Sequence, residues 1–244
     1  MSGDRLKMER VSVTEQQISM LVPPYIDQHT TLKTKTSVQE MLRVTREVRT
    51  ILGQFYIYSA LTRTPSLSKA VSASAASDGV RVIIGSLMRT LIVSTAALFD
   101  DNPKTSNLPK LIKSSLTTDS QKAFNDFHAH NGSSSIGMEA CNRLVNYRRK
   151  MSRSPLRQAV DRIKLVRNRV VAHFESEPDP VTNDMKATVR DYDYVIAAAA
   201  IITGESNIWM IGRKVNVPEL RQILRNEARG FCDVLMHART SDQR

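Results

Sequence analysis

The sequence predicts an all-α protein, a helical bundle with an N-terminal arm and a C-terminal amphipathic helix. Hydrophobic residues make up 41% of the 244 residues but aromatic residues only 5%. Alanine, leucine, valine and isoleucine supply the hydrophobic bulk, which favours helices over a β-sandwich. Apolar residues also recur at helical spacing in several long segments. The length is sufficient for one sizeable core.

Residues 1–35 are polar and are expected to form an arm, because Val22-Pro23-Pro24 interrupts any long element. Thr36 or Ser37 is expected to cap a first long helix that runs to about Leu61.

The second helix, predicted from Val80 to Phe99, is expected to be buried. It ends at Asp100-Asp101-Asn102-Pro103, because proline disfavours helix at the residue before it. Asn107 is expected to cap the next short helix. The inward-facing residues of the second helix are predicted to be Val82, Ile83, Leu87, Leu91 and Leu98.

The rest of the chain is predicted to be helical, with short breaks, in one bundle over residues 36–204 and a C-terminal extension over residues 205–244 that packs on it. Asn207 to Gly212 is expected to be a loop or a short strand. The predicted helices run from Leu108 to Leu116, from Thr117-Thr118-Asp119 to Phe127, from Met138 to Lys150, from Pro155 to His173, from Asp191 to Thr203, and onward from Pro218.

The helix that begins at Pro155 has a polar interruption in its apolar face. With Ile163 at 0°, the apolar stripe spans about 60° on either side, Arg167 lies within it at about 40°, and Asn168 lies outside it at about 140°. His173 lies on its margin at about −80°. An arginine in an apolar face requires a carboxylate, a carbonyl or a phosphate. Alternatively, Arg167 extends its charged end into water and His173 is a helix-end residue favoured by the helix dipole.

A short motif is formed by Arg167-Asn168 and, after four further residues, His173. It resembles the Arg-polar-x(4)-His motif of HEPN domains. Val171-Ala172-His173-Phe174 resembles the abortive-infection U-type branch of that superfamily. A second match is Ala97-Leu98-Phe99-Asp100-Asp101 followed by Asn107-Leu108-Pro109-Lys110-Leu111-Ile112, where Asn107 replaces the more usual serine. The resemblance covers roughly residues 38–202.

The resemblance implies an all-α HEPN-like fold and metal-independent RNA cleavage, in which the 2′-hydroxyl attacks the adjacent phosphate. His173 is then the general acid or base, because its ordinary pKa is near neutrality. Arg167 stabilises the phosphorane, because its planar fork matches phosphate oxygens. Asn168 orients the phosphate or the imidazole. The expected role is a toxin or abortive-infection effector; the alternative is an inactive HEPN module that binds RNA or a protein partner.

The spacing of Arg167 and His173 predicts a homodimer. Six residues along a helix separate them by about 9 Å along the axis and about 120° around it, so they are poorly placed to share one phosphate. A two-fold dimer brings one chain's arginine close to the other chain's histidine. Arg169 is an alternative partner for His173, at i,i+4 on the same face.

The net charge of +11 and the pI of about 9.9 favour RNA or an acidic protein, such as an antitoxin or a regulatory protein, as the partner. Arg43, Arg46 and Arg49 form a basic ridge on the first helix, which is either a solvated face or an RNA contact. A helical DNA-binding regulator is a third possibility, but no helix-turn-helix pattern supports it.

No cofactor or metal is expected, since no phosphate-binding loop is present. His128 and His130 with Asp126 lack a convincing third ligand, and Cys141 with His173 lacks an orienting group. Two cysteines outside any CxxC, no signal peptide and no uncharged apolar run of about 18 residues predict a cytoplasmic protein with no membrane span. Asp100 is the expected partner of Arg167 or of a basic neighbour.

Overall fold

A computed structural model describes residues 31–65, 69, 77–102, 105–153, 155–172 and 187–241. Within these ranges the chain forms helices and no strand, so the all-α prediction is confirmed. The first 30 residues of the expected N-terminal arm lie outside the described part. The helices are α1 (Leu32–Arg63), α2 (Ser77–Leu98), α3 (Leu108–Ser115), α4 (Thr118–His130), α5 (Ser134–Arg153), α6 (Pro155–Ala172), α7 (Val189–Ile211) and α8 (Val217–Ser241).

Helix α7 forms the centre of the bundle. Its sequence is strongly apolar. Most of its residues are buried, because α1, α5 and α6 all pack against it. Helix α8 covers α1, and α2 packs against both α1 and α6. The C-terminal end of α2 is therefore held next to α6, which contains the predicted motif.

The prediction that α7 ends at Thr203 is wrong, because the helix continues to Ile211. Trp209 explains the difference: its side chain is fully buried, and its indole N–H donates to the Ser115 carbonyl at 3.3 Å. The loop or strand expected from Asn207 to Gly212 is thus the last turn of a helix. Gly212 ends it with a φ of +65°, a conformation that favours glycine.

Gly204 lies inside α7, and the expected boundary between residues 204 and 205 therefore falls within a helix. A Cβ atom at Gly204 would lie 3.2 Å from the Cγ2 atom of Val217. Glycine here allows the start of α8 to pack closely on α7, which compensates for its low helix propensity.

Other helix boundaries differ from the predictions by a few residues, the largest change being in α1. Thr31 is the N-cap of α1, with its hydroxyl accepting from the Thr34 N–H, so the helix begins before the expected caps Thr36 and Ser37. Helix α5 likewise begins at Ser134 rather than Met138. Several residues in these polar segments could each cap a helix, and tertiary packing decides at which of them the helix begins.

The expectation that α2 is buried along its length is also wrong. Leu91 and Leu98 are buried, but Val82 is 67% exposed and Ile83 is 46% exposed. Only the C-terminal half of α2 contributes fully buried residues. An apolar sequence can be buried only where neighbouring helices reach it, and that depends on tertiary packing.

Two helices in the described residues, α2 and α7, are long and apolar enough to span a membrane. The apolar window of α7 is 72% buried inside the bundle and that of α2 is 22% buried. The core helix of a bundle meets the same criteria of length and composition, so these two helices do not establish a membrane span.

Candidate active site

Helix α6 packs on the bundle through the predicted apolar stripe. Leu156, Val160 and Ile163 are each at most 5% exposed, and Val166 is partly buried against the core. The stripe faces α7, α2 and α5. Arg167 continues this stripe towards the C-terminal end of the helix.

Arg167 is only 24% exposed and lies in an ion pair with Asp100 through its Nη1 atom. Its Nε and Nη2 atoms donate to Asn168 Oδ1 at 3.1 and 3.0 Å. The expectation that an arginine in this face meets a carboxylate is therefore confirmed, and Asp100 is that carboxylate. In this arrangement Asn168 holds one edge of the guanidinium group.

The turn after α2 fixes the position of Asp100. Leu98 and Phe99 are buried in the core, and the Asp100 N–H donates to the Ala97 carbonyl at 3.2 Å. The turn is closed from the other end by Asn107, which is 1% exposed. Both sides of the turn are thus anchored before α3 begins.

Asn107 is the N-cap of α3, as predicted. Its Oδ1 atom accepts from the Lys110 N–H at 2.8 Å, and its Nδ2 atom donates to the Asn102 carbonyl at 2.8 Å. The amide therefore serves the cap and the turn at the same time, with separate atoms as acceptor and donor.

Lys164 is a member of this site that the sequence analysis missed. Its Nζ atom donates to the Phe99 carbonyl at 2.8 Å and lies 3.4 Å from Asp100 Oδ1. Lys164 precedes Arg167 by three residues, so the two side chains emerge on neighbouring parts of α6. The sequence did contain a signal for Lys164: a pair of cations at i,i+3 on the motif helix, in a chain that also has a Phe-Asp helix end.

The cluster formed by Lys164, Arg167 and Asp100 contains two cations and one carboxylate, so its formal charge is +1. A guanidinium group has five N–H donors, and the assigned hydrogen bonds of Arg167 use three of them. The remaining donors are held in a fixed orientation in a partly buried setting. Such donors suit a phosphate oxygen.

His173 lies outside the described residues, as does Phe174. The position of the predicted acid or base relative to Arg167 therefore stays a prediction. Arg169, the alternative partner of His173, is half-buried. Of the three predicted catalytic residues, the structure describes Arg167 and Asn168 and brings them into direct contact.

His128 is a structural residue rather than a metal ligand. Its ring is 1% exposed, its Nε2 atom lies 2.9 Å from the Trp209 carbonyl, and its Nδ1 atom lies 2.8 Å from Ser133 Oγ. The carbonyl can only accept, so Nε2 carries a proton and donates to it. The ring is also stacked on Trp209, with centroids 5.8 Å apart.

The alternatives built on His128 and on Cys141 therefore gain no support. In the part of the chain that the structure describes, no group of three or more histidine, cysteine, aspartate or glutamate side chains could hold a metal ion. Burial raises the pKa of the Cys141 thiol, which disfavours the nucleophilic thiolate.

A second arginine of α6, Arg162, makes a different ion pair five residues before Arg167. It pairs with Asp191 in the first turn of α7, and Asp191 Oδ2 also accepts from the Thr188 N–H at 2.7 Å. Burial alone would raise the pKa of Asp191, but the hydrogen bonds from Arg162 and Thr188 outweigh it and lower the pKa. This is a capping box joined to an ion pair.

The all-α bundle and the pairing of the motif arginine with the aspartate of the Phe-Asp turn agree with the resemblance to HEPN domains. Residues 39–231 match the family model HEPN_AbiU2, described as AbiU2. The chain therefore belongs to the HEPN_AbiU2 family, the abortive-infection U-type branch of HEPN domains. The comparisons with curated proteins and with solved structures gave no match.

Proposed function

We propose that the protein is a metal-independent endoribonuclease of HEPN type that acts in the cytoplasm as a toxin or abortive-infection effector. The observation that carries this proposal is the environment of Arg167. Its guanidinium group is partly buried, is fixed by Asp100 and Asn168, and has a second cation, Lys164, beside the same carboxylate. The family membership and the net charge of +11 support the same function.

In the proposed reaction the 2′-hydroxyl of one nucleotide loses its proton and attacks the adjacent phosphorus. The bond from phosphorus to the 5′-oxygen then breaks, and that oxygen takes up a proton. The products are a 2′,3′-cyclic phosphate, which water can open to a 3′-phosphate, and a 5′-hydroxyl. His173 transfers protons, and Arg167 binds the additional negative charge of the phosphorane.

The pairing of Arg167 with Asp100 is compatible with stabilisation of the phosphorane by Arg167. The ion pair holds the guanidinium group in place before substrate arrives, so little reorganisation is needed as charge develops on phosphate. Asn168 acts here as a positioning residue for Arg167. Lys164 raises the positive potential around the site, and its contact with the Phe99 carbonyl keeps it close to the carboxylate.

We further propose that each site is composed across a homodimer. The sequence spacing predicts that residues 167 and 173 are separated by about 120° around a helix axis, and Arg167 is directed to Asp100 of its own chain. A two-fold axis beside α6 would place the partner's imidazole near this arginine. Two equivalent sites would then form in each dimer.

The first experiment compares cleavage of total RNA in EDTA by the wild type, His173→Ala and Arg167→Ala. Wild-type cleavage should persist in EDTA, and each variant should be slower by about 10²–10³-fold, the effect of removing one group that stabilises a transition state. Arg162→Ala is the matched control, since Arg162 is on the same helix but pairs with Asp191. Cleavage by both variants at the wild-type rate would refute the proposal.

The second experiment tests the composite site by co-expressing Arg167→Ala and His173→Ala chains with different tags. A mixed dimer would contain one site with both groups intact, because one chain supplies the arginine and the other the histidine. Purified mixed dimers should therefore recover about half of the wild-type activity. No recovery would show that both groups must come from one chain.

The alternative, a catalytically inactive HEPN module that binds RNA or an antitoxin, is favoured by one observation. Arg167 already has a carboxylate partner in its own chain, as a purely structural arginine would. On this alternative, RNA or protein binding is unchanged in His173→Ala and neither protein cleaves RNA. The first experiment distinguishes the two functions.

A further inference from the structure

A groove between α1 and the C-terminal half of α2 is lined by two arginines and one glutamate, so its formal charge is +1. The cavity has a volume of about 330 Å³. Arg43 and Arg46 are exposed on its rim, and no hydrogen bond or ion pair within the described residues involves either guanidinium group. The lining residues are Arg43, Arg46, Glu47, Ser94, Ala97, Leu98 and Ser106.

The three arginines of the basic ridge do not face one surface. Each step of three residues rotates the side chain by about −60°, so Arg49 lies about 120° from Arg43. Arg49 accordingly lines a different cavity, of about 360 Å³, bounded by α1, α7 and α8. Only Arg43 and Arg46 belong to the groove against α2.

The groove and the Arg167 cluster lie on two sides of one turn. Leu98, the last residue of α2, lines the groove. The next two residues face α6, where the Phe99 carbonyl accepts from Lys164 and Asp100 pairs with Arg167. Ser106, which follows the turn, lines the groove again. A chain that crosses this turn would contact both sets of cations.

We propose that this groove binds the phosphodiester backbone of single-stranded RNA next to the cleaved linkage. Arg43 and Arg46 donate to phosphate oxygens, and the hydroxyls of Ser94 and Ser106 donate to phosphate or sugar oxygens. Glu47 on the rim opposes binding through its negative charge and keeps the affinity moderate. The proposal rests on the proposed function, because it takes RNA as the substrate and the Arg167 cluster as the reacting site.

The test measures binding of a fluorescent single-stranded RNA with 2′-O-methyl sugars, which lacks the attacking hydroxyl and so cannot be cleaved. Arg43→Gln/Arg46→Gln should weaken binding about tenfold at about 0.1 M salt. The slope of log affinity against log salt should fall by about 1.4, since each phosphate contact on a single strand contributes about 0.7. Glu47→Gln should bind more tightly than the wild type.

The matched control is Arg49→Gln/Arg149→Gln, which removes the same total charge from exposed positions outside the groove. Its salt slope should equal that of the wild type. Equal losses in the two double variants would mean that only total charge matters, and an unchanged Arg43→Gln/Arg46→Gln variant would mean that RNA avoids the groove; either result overturns the proposal. Thermal unfolding verifies that each variant is folded, and Arg43→Lys/Arg46→Lys should restore part of the affinity.

The outcomes also separate this proposal from the proposed function. If the wild type cleaves RNA and the groove variant binds normally, only the groove assignment fails. If binding depends on the groove but no RNA is cleaved in any buffer, the nuclease function fails while the binding surface stands. If the wild type does not bind the RNA at all, both fail.

Discussion

Two arginines of α6, Arg162 and Arg167, each pair with an aspartate at the end of another helix, but the two helix ends are opposite. Asp191 lies in the first turn of α7, where the helix dipole stabilises a carboxylate. Asp100 follows the last turn of α2, where the dipole opposes one. The same pair of residue types therefore has different surroundings.

The difference in surroundings changes what each pair can do. Asp191 has one cation and a capping threonine, so its charge is balanced and its hydrogen bonds stabilise the start of α7. Asp100 has two cations, Lys164 and Arg167, so positive charge remains for an anion to neutralise. The first pair is suited to stability, and the second is suited to binding phosphate.

The largest expected effect is on the rate of RNA cleavage. It should follow from replacing Arg167 by lysine, with Arg162→Lys as the comparison. Arg167→Lys should reduce RNA cleavage by about 10²-fold, because a lysine cannot form the two bonds to Asn168 and still present a planar fork to phosphate. Arg162→Lys should keep cleavage within a few-fold of the wild type. Initial rates measured with one RNA in EDTA would decide; equal losses in both variants would remove the functional distinction between the two pairs.

The next largest effect is on stability, and here the Asp191 pair should matter more than the Asp100 pair. Asp191→Ala should lower the free energy of unfolding by about 2 kcal/mol, from the loss of a cap and of a charge-assisted hydrogen bond, with a discount because Arg162 can reach water. Asp100→Ala should lower it by less than Asp191→Ala does, because the dipole at the C-terminal end of α2 opposes a carboxylate at that position. Urea unfolding of the two variants at equal salt gives the comparison. A larger loss in Asp100→Ala would show that the Arg167 cluster is mainly structural.

The Asp191 pair should also make stability depend on pH. The folded protein lowers the pKa of Asp191 below its ordinary value of 3.8, so the ionised carboxylate stabilises the fold above that value. This contribution should be complete above about pH 5 and lost as the pH falls through the lowered pKa. The difference in unfolding free energy between the wild type and Asp191→Asn should therefore shrink on acidification. A difference that is constant down to about pH 3 would contradict this prediction.

The smallest effect is expected for Lys164→Gln. Loss of a cation at the C-terminal end of α2 should lower the free energy of unfolding by about 0.5 kcal/mol. RNA cleavage should fall only a few-fold, because Arg167 and Asp100 remain paired. Urea unfolding and cleavage rates measured on the same protein preparation check both values. A loss of cleavage as large as that of Arg167→Lys would instead assign Lys164 a direct contact with the reacting phosphate.

Several features of the site could be predicted because they depend on residues that are close in sequence. The apolar stripe of α6, the cap at Asn107 and the need of Arg167 for an anionic partner follow from helical periodicity and from the high cost of burying an unpaired charge. The Phe-Asp turn supplied Asp100 as the partner. Asp100 is itself 67 residues from Arg167 and was predicted through the second motif match. No motif pointed to Lys164, whose carbonyl partner is 65 residues away in sequence.

The errors in the fold have a common physical origin. In the sequence the apolar run of α7 ends at Gly204-Glu205, which suggested an early end to the helix. In the structure Ser206 donates to the Ile202 carbonyl at 2.8 Å and Asn207 donates to Thr45 Oγ1 of α1 at 3.0 Å. These two side chains have partners, so this part of the helix can stay buried. Local propensity is weak compared with such tertiary contacts.

The sequence by itself determined the helical class of this protein, its family and the arginine around which the site is built, because helical periodicity and short motifs are local properties. Tertiary structure alone decided that Arg167 shares Asp100 with Lys164, and that two of three ridge arginines meet α2. It also decided that half of an apolar helix remains exposed. These features depend on which helix ends and faces meet in space, and the packing of distant segments sets that.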